Sequence, residues 1–264
     1  VNLDLLFQEL KPWAGPRFVI SSSAGNDSTA LIQWAFENAL AFTSPVVVAY
    51  CNTGWSAPGW DSRIKTVSAF AERCGFETVE IPSMGMSDLV RLKKGFPGNG
   101  MQFCTTHLKI VPFLNWIDNV DPQRQATVLI GKRRAESIAR RDTPEFIERS
   151  EVHGDRKVWH PLYLHDDDLR DGLLDRAGFE VLPHRSSECS PCVNANRDDF
   201  KRLTVTDISK VSSLEVEIGK PMFRPKRFDA MGIYGVMMWA QYGKNHEAEL
   251  PSDQGCGSSF GCGL

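Results

Sequence analysis

Two sets of residues carry chemistry by their type and spacing: a group of thiols, and a run of small polar residues around a turn. The chain has seven cysteines among 264 residues: Cys51, Cys74, Cys104, Cys189, Cys192, Cys256 and Cys262. Cys189 and Cys192 stand two residues apart, a spacing that suits zinc or an iron–sulfur cluster and by itself leaves both metals, and no metal, open. The second set lies in FVISSSAGNDSTALIQWA, residues 18–35, where an apolar run enters a turn and a helix pattern follows from Asp27-Ser28. A strand, a turn of small residues and a helix N-terminus together present backbone N–H groups and positive potential to an anion. Ser21, Ser22, Ser23, Ala24, Gly25, Asn26, Asp27, Ser28 and Thr29 are therefore the expected phosphate-binding residues. The loop is neither Gly-x4-Gly-Lys-Ser/Thr, since no lysine stands at the required place, nor Gly-x-Gly-x-x-Gly.

The elements that must hold these residues follow from hydrophobic spacing. Strands are expected at residues 18–20, 46–50, 78–81 and 126–130. Helices alternate with them, marked by Leu31, Trp34 and Ala35, then by Trp60, Ile64, Val67, Ala71 and Cys74 with Gly75 as a stop, then by Ile110, Phe113, Leu114 and Ile117. The alternation predicts an α/β fold, an open parallel sheet with flanking helices. Residues 84–102, with four glycines, read as a surface loop or a substrate-covering segment. The Asp166-Asp167-Asp168 run reads as a helix N-terminus, and Ile208, Val211, Leu214 and Ile218 as a helical stripe closed by Gly219. Residues 1–200 are expected to form the nucleotide-binding α/β domain, and 201–264 a C-terminal helical appendage with a cysteine-bearing tail.

Composition bounds the function. Hydrophobic residues at 42% and charged residues at 24% exclude a disordered or fibrous chain. A net charge of −3 argues against a strongly basic nucleic-acid module, and no apolar run approaches the ~20 residues of a membrane span. The opening residues carry no basic segment followed by an apolar one, so no secretory signal is expected. Reduced thiols and a cytoplasmic location are the corresponding expectation.

Ser23-Ala24-Gly25-Asn26-Asp27-Ser28 resembles the Ser-Gly-Gly-x-Asp-Ser signature of PP-loop ATP pyrophosphatases, with Ala24 in place of the first glycine. Further segments, in the same order, resemble the phosphoadenosine phosphosulfate (PAPS) reductase family within that group, whose fold is that of the adenine nucleotide alpha hydrolases. They are Cys51-Asn52-Thr53-Gly54 after the second strand, Cys104 to Pro112 with its Lys-x-x-Pro, Gly131-Lys132-Arg133-Arg134-Ala135-Glu136-Ser137 with Arg140, Trp159-His160-Pro161-Leu162, and Cys189-Ser190-Pro191-Cys192. The resemblance covers roughly residues 18–192 and implies an adenine nucleotide at the C-terminal edge of the sheet. Asn52, Thr53, Gly54, Gly131, Glu136 and Ser137 then join the nucleotide-binding set. Lys109, Arg133 and Arg140 are expected to neutralise charge at the reacting phosphates, whereas Lys132 and Arg141 read as a solvated basic face. Asp27 is expected either to help hold Mg²⁺ on ATP or to cap its helix.

The resemblance also places Cys104 with Cys189 and Cys192. Phe103 stands where cluster-bearing sulfonucleotide reductases have a second cysteine, so three thiolates would hold a [4Fe–4S] cluster with an open iron, or Cys256 would close the site. Zinc is the alternative metal. The terminal Gly261-Cys262-Gly263-Leu264 resembles the tail whose cysteine attacks sulfur in those reductases. Three functions follow from the resemblance. One is an ATP-cleaving sulfur-transfer enzyme, fed by a sulfur donor such as a cysteine desulfurase and acting on nucleic acid, as in DNA phosphorothioation, through a partner complex. The second is a reductase of adenylyl sulfates (PAPS or APS) using Cys262 and a dithiol such as thioredoxin. The third is a non-catalytic nucleotide- or cluster-sensing subunit.

Overall fold

The computed structural model describes residues 17–38, 45–98, 100–223 and 232–242. Cys256 and Cys262 lie outside the described residues. Six strands form one sheet in the order β3-β2-β1-β4-β6-β5: β1 (Phe18–Ser22), β2 (Val46–Asn52), β3 (Glu77–Pro82), β4 (Thr127–Ile130), β5 (Phe146–Ser150) and β6 (Arg156–Trp159). Every pairing is parallel except β5 with β6. The expected α/β open sheet is thus the observed one. The β5–β6 hairpin was not expected, because its outer strand, Phe-Ile-Glu-Arg-Ser, shows no alternation of apolar and polar residues to mark it.

β1 and β2 lie at the centre and read as continuous apolar runs because both of their faces are covered. Alternate side chains enter two cores. Ile20, Val48, Tyr50 and Leu129 pack against helices α1 (Asn26–Glu37) and α2 (Trp60–Arg73), while Val19, Ala49, Val128 and Val158 pack against Phe113 and Ile117 of α4 (Val111–Val120). Between β3 and α4, the stretch read as a loop contains helix α3 (Met86–Lys93). Met86, Leu89 and Val90 bury one face of it with Trp55, Leu108, Val211, Leu214 and Ile233, which explains why a glycine-flanked segment is ordered as a helix.

Beyond β6 come α5 (Asp167–Arg176), α6 (Arg197–Lys201), α7 (Val205–Ile218) and α8 (Gly232–Tyr242). Asp166 caps α5 by accepting the Leu169 N–H, as the acidic run predicts. Asn196 and Thr204 form reciprocal capping boxes with Asp199 and Asp207. Gly219 ends α7 at φ 68°. No helix among the described residues is long and apolar enough to cross a membrane.

Candidate functional site

Chain order reverses at β1: β2 and β3 extend the sheet on one side, and β4 returns on the other. In an open α/β sheet, the crevice beyond the carboxyl ends of two such strands is the ligand site. A cleft of about 350 Å³ opens there. Ser21, Ser23, Gly25, Asn26, Asp27 and Ser28 supply one wall, Gly131, Arg133, Glu136 and Arg140 the other.

The loop is built around Ser28. Its hydroxyl oxygen accepts the Ser23 N–H at 3.3 Å and donates to the Gly25 carbonyl at 3.3 Å, with the Ser22 and Ser23 hydroxyls each 3.5 Å away. Ser22 Oγ in turn accepts the Ala24 N–H at 3.1 Å. Ala24 sits at φ 57°, the left-handed conformation for which glycine is the usual choice. Gly131 has no room for a side chain: a Cβ there would lie 2.7 Å from the Asp27 carbonyl oxygen. The end of β4 therefore passes directly against the first turn of α1.

The cleft's charges are paired across it. Arg133, almost wholly buried, donates from Nε to Asp27 and from Nη2 to Asp167 at 3.0 Å. Burial works against its charge, but the two carboxylates prevail and hold it above the ordinary arginine value. Arg140 pairs with Glu136, four residues before it, across the extended Ser137. Arg170 completes the rim, 3.3 Å from Asp167 and 3.9 Å from Asp27. Asp167 and Arg170 belong to α5; the sequence marked Asp167 only as part of a helix N-terminus and did not mark Arg170, and their i,i+3 spacing puts both on the cleft side. Lys132 lines the cleft as well, unlike the exposed Arg141 beside Asp142.

Several expected nucleotide residues stand off the cleft wall. Ser22, Ala24 and Thr29 are buried beneath the loop, and Ser137 lies just past it. Asn52, Thr53 and Gly54 are at the end of β2, where Asn52 holds the Gly54 N–H at 2.8 Å and Thr53 donates to the Glu188 carbonyl at 2.9 Å.

Lys109 is also away from the phosphate loop. It sits in a π-helical turn, Thr106–Ile110, and its buried ammonium pairs with the fully buried Glu188. Burial pushes the Glu188 carboxyl up, against the pull of Lys109. The sequence showed no signal for this partner, 79 positions away.

The thiols gather on the neighbouring side. Burial raises Cys189, with Lys109 opposing and Glu188, Cys192 and Cys104 adding to the rise, so Cys192 and Cys104 each lie within electrostatic reach of Cys189. Cys104 is raised by burial too, and Cys51, buried near the end of β2, is pushed up to about 12. Cys74 is half-buried. Cys189 Sγ lies 3.9 Å from Thr53 Oγ1, and Cys192 Sγ accepts the Asn194 N–H at 3.5 Å. Among the described residues, no three Cys, His, Asp or Glu side chains converge closely enough to hold a metal ion. The donor chemistry fits a thiophilic metal, but the described residues do not close the four-thiolate site expected from Cys104, Cys189, Cys192 and Cys256.

Residues 182–186 separate the thiols from the phosphate loop. Asn26 clamps this strip from both sides, its amide donating to the Leu182 carbonyl and accepting the Leu182 N–H, each at 2.9 Å. Ser186 lies so close that a Cβ on Gly25 would meet its Cβ at 2.9 Å. His184, Arg185 and Ser186 line the phosphate cleft on one side and the cysteine-bearing cleft on the other.

The chain is similar to several solved structures. No protein-family profile matches the chain, and no curated protein matches its sequence. Among the similar structures is a phosphoadenylyl-sulfate (PAPS) reductase from Candida auris, in a phosphate complex, at 15% identity and a TM-score of 0.45 over 66% of this chain and 80% of that one. An NMN synthetase from Francisella tularensis matches at 11% identity and 0.48 over 90% of both chains. A U34-tRNA thiolase from Methanococcus maripaludis, solved with its [4Fe-4S] cluster, matches at 14% identity and 0.46 over 90% of this chain and 78% of that one. These are likenesses of fold, and no activity passes from them to this chain.

Proposed function

We propose that the chain is a PP-loop enzyme that binds ATP in the cleft between β1 and β4 and cleaves it to AMP and pyrophosphate, activating an acceptor for sulfur incorporation. The observation that carries this reading is the serine-built loop at the switch point, faced by Arg133, Arg140 and Arg170. Backbone N–H groups and hydroxyls at the start of α1 suit phosphate oxygens, and the arginines suit charge that grows on pyrophosphate as it leaves. Binding of the triphosphate would draw Arg133 from Asp27, freeing that carboxylate to help hold Mg²⁺.

In balanced form, an acceptor oxygen attacks the α-phosphorus, and the bond to the bridging oxygen breaks to release pyrophosphate. Hydrosulfide then displaces AMP together with the acceptor oxygen, leaving a carbon– or phosphorus–sulfur bond. Nucleic acid, presented by a partner complex, is the proposed acceptor, and a cysteine desulfurase the proposed source of sulfur. Cys104, Cys189 and Cys192 would hold a [4Fe–4S] cluster whose open iron would supply a thiophilic site for sulfide, whereas Cys256 as fourth ligand would close it; zinc is the alternative metal. The chain's own contribution is Cys189 and Cys192 in the cleft next to the one proposed for the nucleotide.

A second reading rests on the terminal Cys262-Gly263-Leu264. There the Cys262 thiolate attacks the sulfur of an adenylyl sulfate and expels the nucleotide. A dithiol then reduces the S-sulfocysteine, releasing sulfite and becoming a disulfide. Anaerobic incubation with labelled ATP and, separately, with adenylyl sulfates tests both readings. Pyrophosphate without sulfite is expected; sulfite release abolished by Cys262→Ser would establish the reductase instead. Turnover of neither substrate, alongside nucleotide binding, would leave the non-catalytic subunit.

A further inference from the structure

The cysteine-bearing cleft, about 560 Å³, is lined by Arg63, whose guanidinium is only partly satisfied by the described residues. Arg63, on α2, donates from Nε to the Ala24 carbonyl of the phosphate loop at 2.7 Å. Its Nη2 is shielded from solvent and meets no acceptor. No carboxylate among the described residues lies within ion-pair distance of it. The guanidinium instead rests against the Trp60 and Phe179 rings, 5.8 and 5.6 Å from their centroids. Burial lowers its pKa, whereas Arg133, paired with carboxylates, is raised.

Two more shielded donors line the same cleft without acceptors, Arg185 Nη1 and Trp60 Nε1. Of the acidic residues of the wall, Asp199 is fully engaged, while Asp207 keeps one shielded oxygen, Oδ1, without a hydrogen bond, so three unmet donors face one unmet acceptor. Asp199 binds Arg185 and Arg202 and caps α6, while Asp207 caps α7 and stands 3.7 Å from Lys210. Donors thus exceed acceptors around one cavity, and a charged donor left without a partner is a cost that a bound anion removes.

We propose that this second cleft is an oxyanion site centred on Arg63, which takes the phosphate group, free or within a phosphodiester, of the molecule that the nucleotide cleft activates. The proposal rests on the nucleotide reading of the first cleft. It places the acceptor in the cavity that also exposes Cys189 and Cys192, with the strip His184–Arg185–Ser186 as the shared wall between acceptor and nucleotide. A planar guanidinium fork suits a tetrahedral oxyanion, and the aromatic faces beside it suit a base or sugar.

The test is equilibrium dialysis of the full chain with labelled inorganic phosphate and, in parallel, the dinucleotide d(TpT), each with and without saturating AMPCPP. Binding of at least one probe is expected to persist with AMPCPP present. Arg63→Gln is expected to weaken it at least tenfold, and Arg63→Lys, which keeps the charge and loses the fork, a fewfold. Tighter binding of d(TpT) marks a nucleic-acid backbone, and tighter phosphate a free oxyanion. Loss of all binding when AMPCPP fills the first cleft, or equal binding by wild type and both Arg63 variants, overturns the proposal. Failure of AMPCPP itself to bind would reject the nucleotide reading, and the Arg63 dependence is then read from the probes alone.

Discussion

Arg133 and Asp27 meet across the switch point of the sheet, the guanidinium from the end of β4 donating to the carboxylate in the first turn of α1. The pair fastens the two strands that frame the phosphate cleft. Because Arg133 is buried and Asp27 partly exposed, the loss of Asp27 leaves a charge with only the well-exposed Asp167 beside it. Asp27→Asn is expected to cost about 1–3 kcal/mol in urea unfolding, below the range for fully buried pairs because solvent screens Asp27. The same variant should weaken Mg-ATP binding more than binding of metal-free ATP, measured by calorimetry.

Gly131→Ala probes the other contact at this point. Its Cβ would press on the Asp27 backbone, which has no flexible end to move aside. A loss of about 1–3 kcal/mol in unfolding free energy is expected, as for other overpacked sites, with nucleotide affinity falling alongside it. Unchanged affinity in a destabilised variant would show that the loop does not bind the nucleotide.

Ser28→Ala removes the hydroxyl around which the loop is organised. A stability loss of about 1 kcal/mol and a tenfold or greater drop in ATP affinity are expected. The measurement is calorimetric titration beside a denaturation curve.

Glu188→Leu strands the Lys109 ammonium, which lies within electrostatic reach of Cys51, Cys104 and Cys189. Removing one partner of so buried a pair is expected to cost about 3–5 kcal/mol, whereas the double variant Lys109→Met/Glu188→Leu should recover much of it. Guanidinium denaturation of the four proteins of this cycle gives the coupling directly. Iron and acid-labile sulfide after anaerobic reconstitution form a separate readout: Cys104→Ser, Cys189→Ser and Cys192→Ser should each lower both, and Cys256→Ser decides the fourth ligand. Stoichiometric zinc without sulfide would reject the cluster.

His153 makes stability depend on pH. It is buried against Phe113, with Nδ1 2.8 Å from Ser150 Oγ; burial, with His160 nearby, lowers its pKa to about 3. A group whose folded pKa is depressed in this way favours its neutral form on folding. Its contribution is present above the unfolded value near 6.5 and is lost progressively as pH falls from there towards 3. Between pH 7 and 5 the loss is expected to be about 2 kcal/mol. His153→Gln should flatten that part of the pH profile in urea unfolding.

The sequence by itself determined the parallel sheet, two of its inner strands and the small-residue turn between β1 and α1, because each is encoded locally: apolar runs at residues 18–20 and 46–50, and small polar residues after β1. It also determined the caps at Asp166 and Gly219, which depend on neighbours within a turn. Residue type alone could not tell which cations line the first cleft. Lys109 and Arg133 look equivalent in sequence, yet Glu188 draws one into the core and Asp27 holds the other at the cleft. Asp167 reads as part of a helix N-terminus until α5 packs against α1, and nothing in the sequence marks Arg170 or Arg63, which line the two clefts. Only tertiary structure decided these roles, because the role of a charge is set by its partners and its exposure, and both come from segments far apart in the chain.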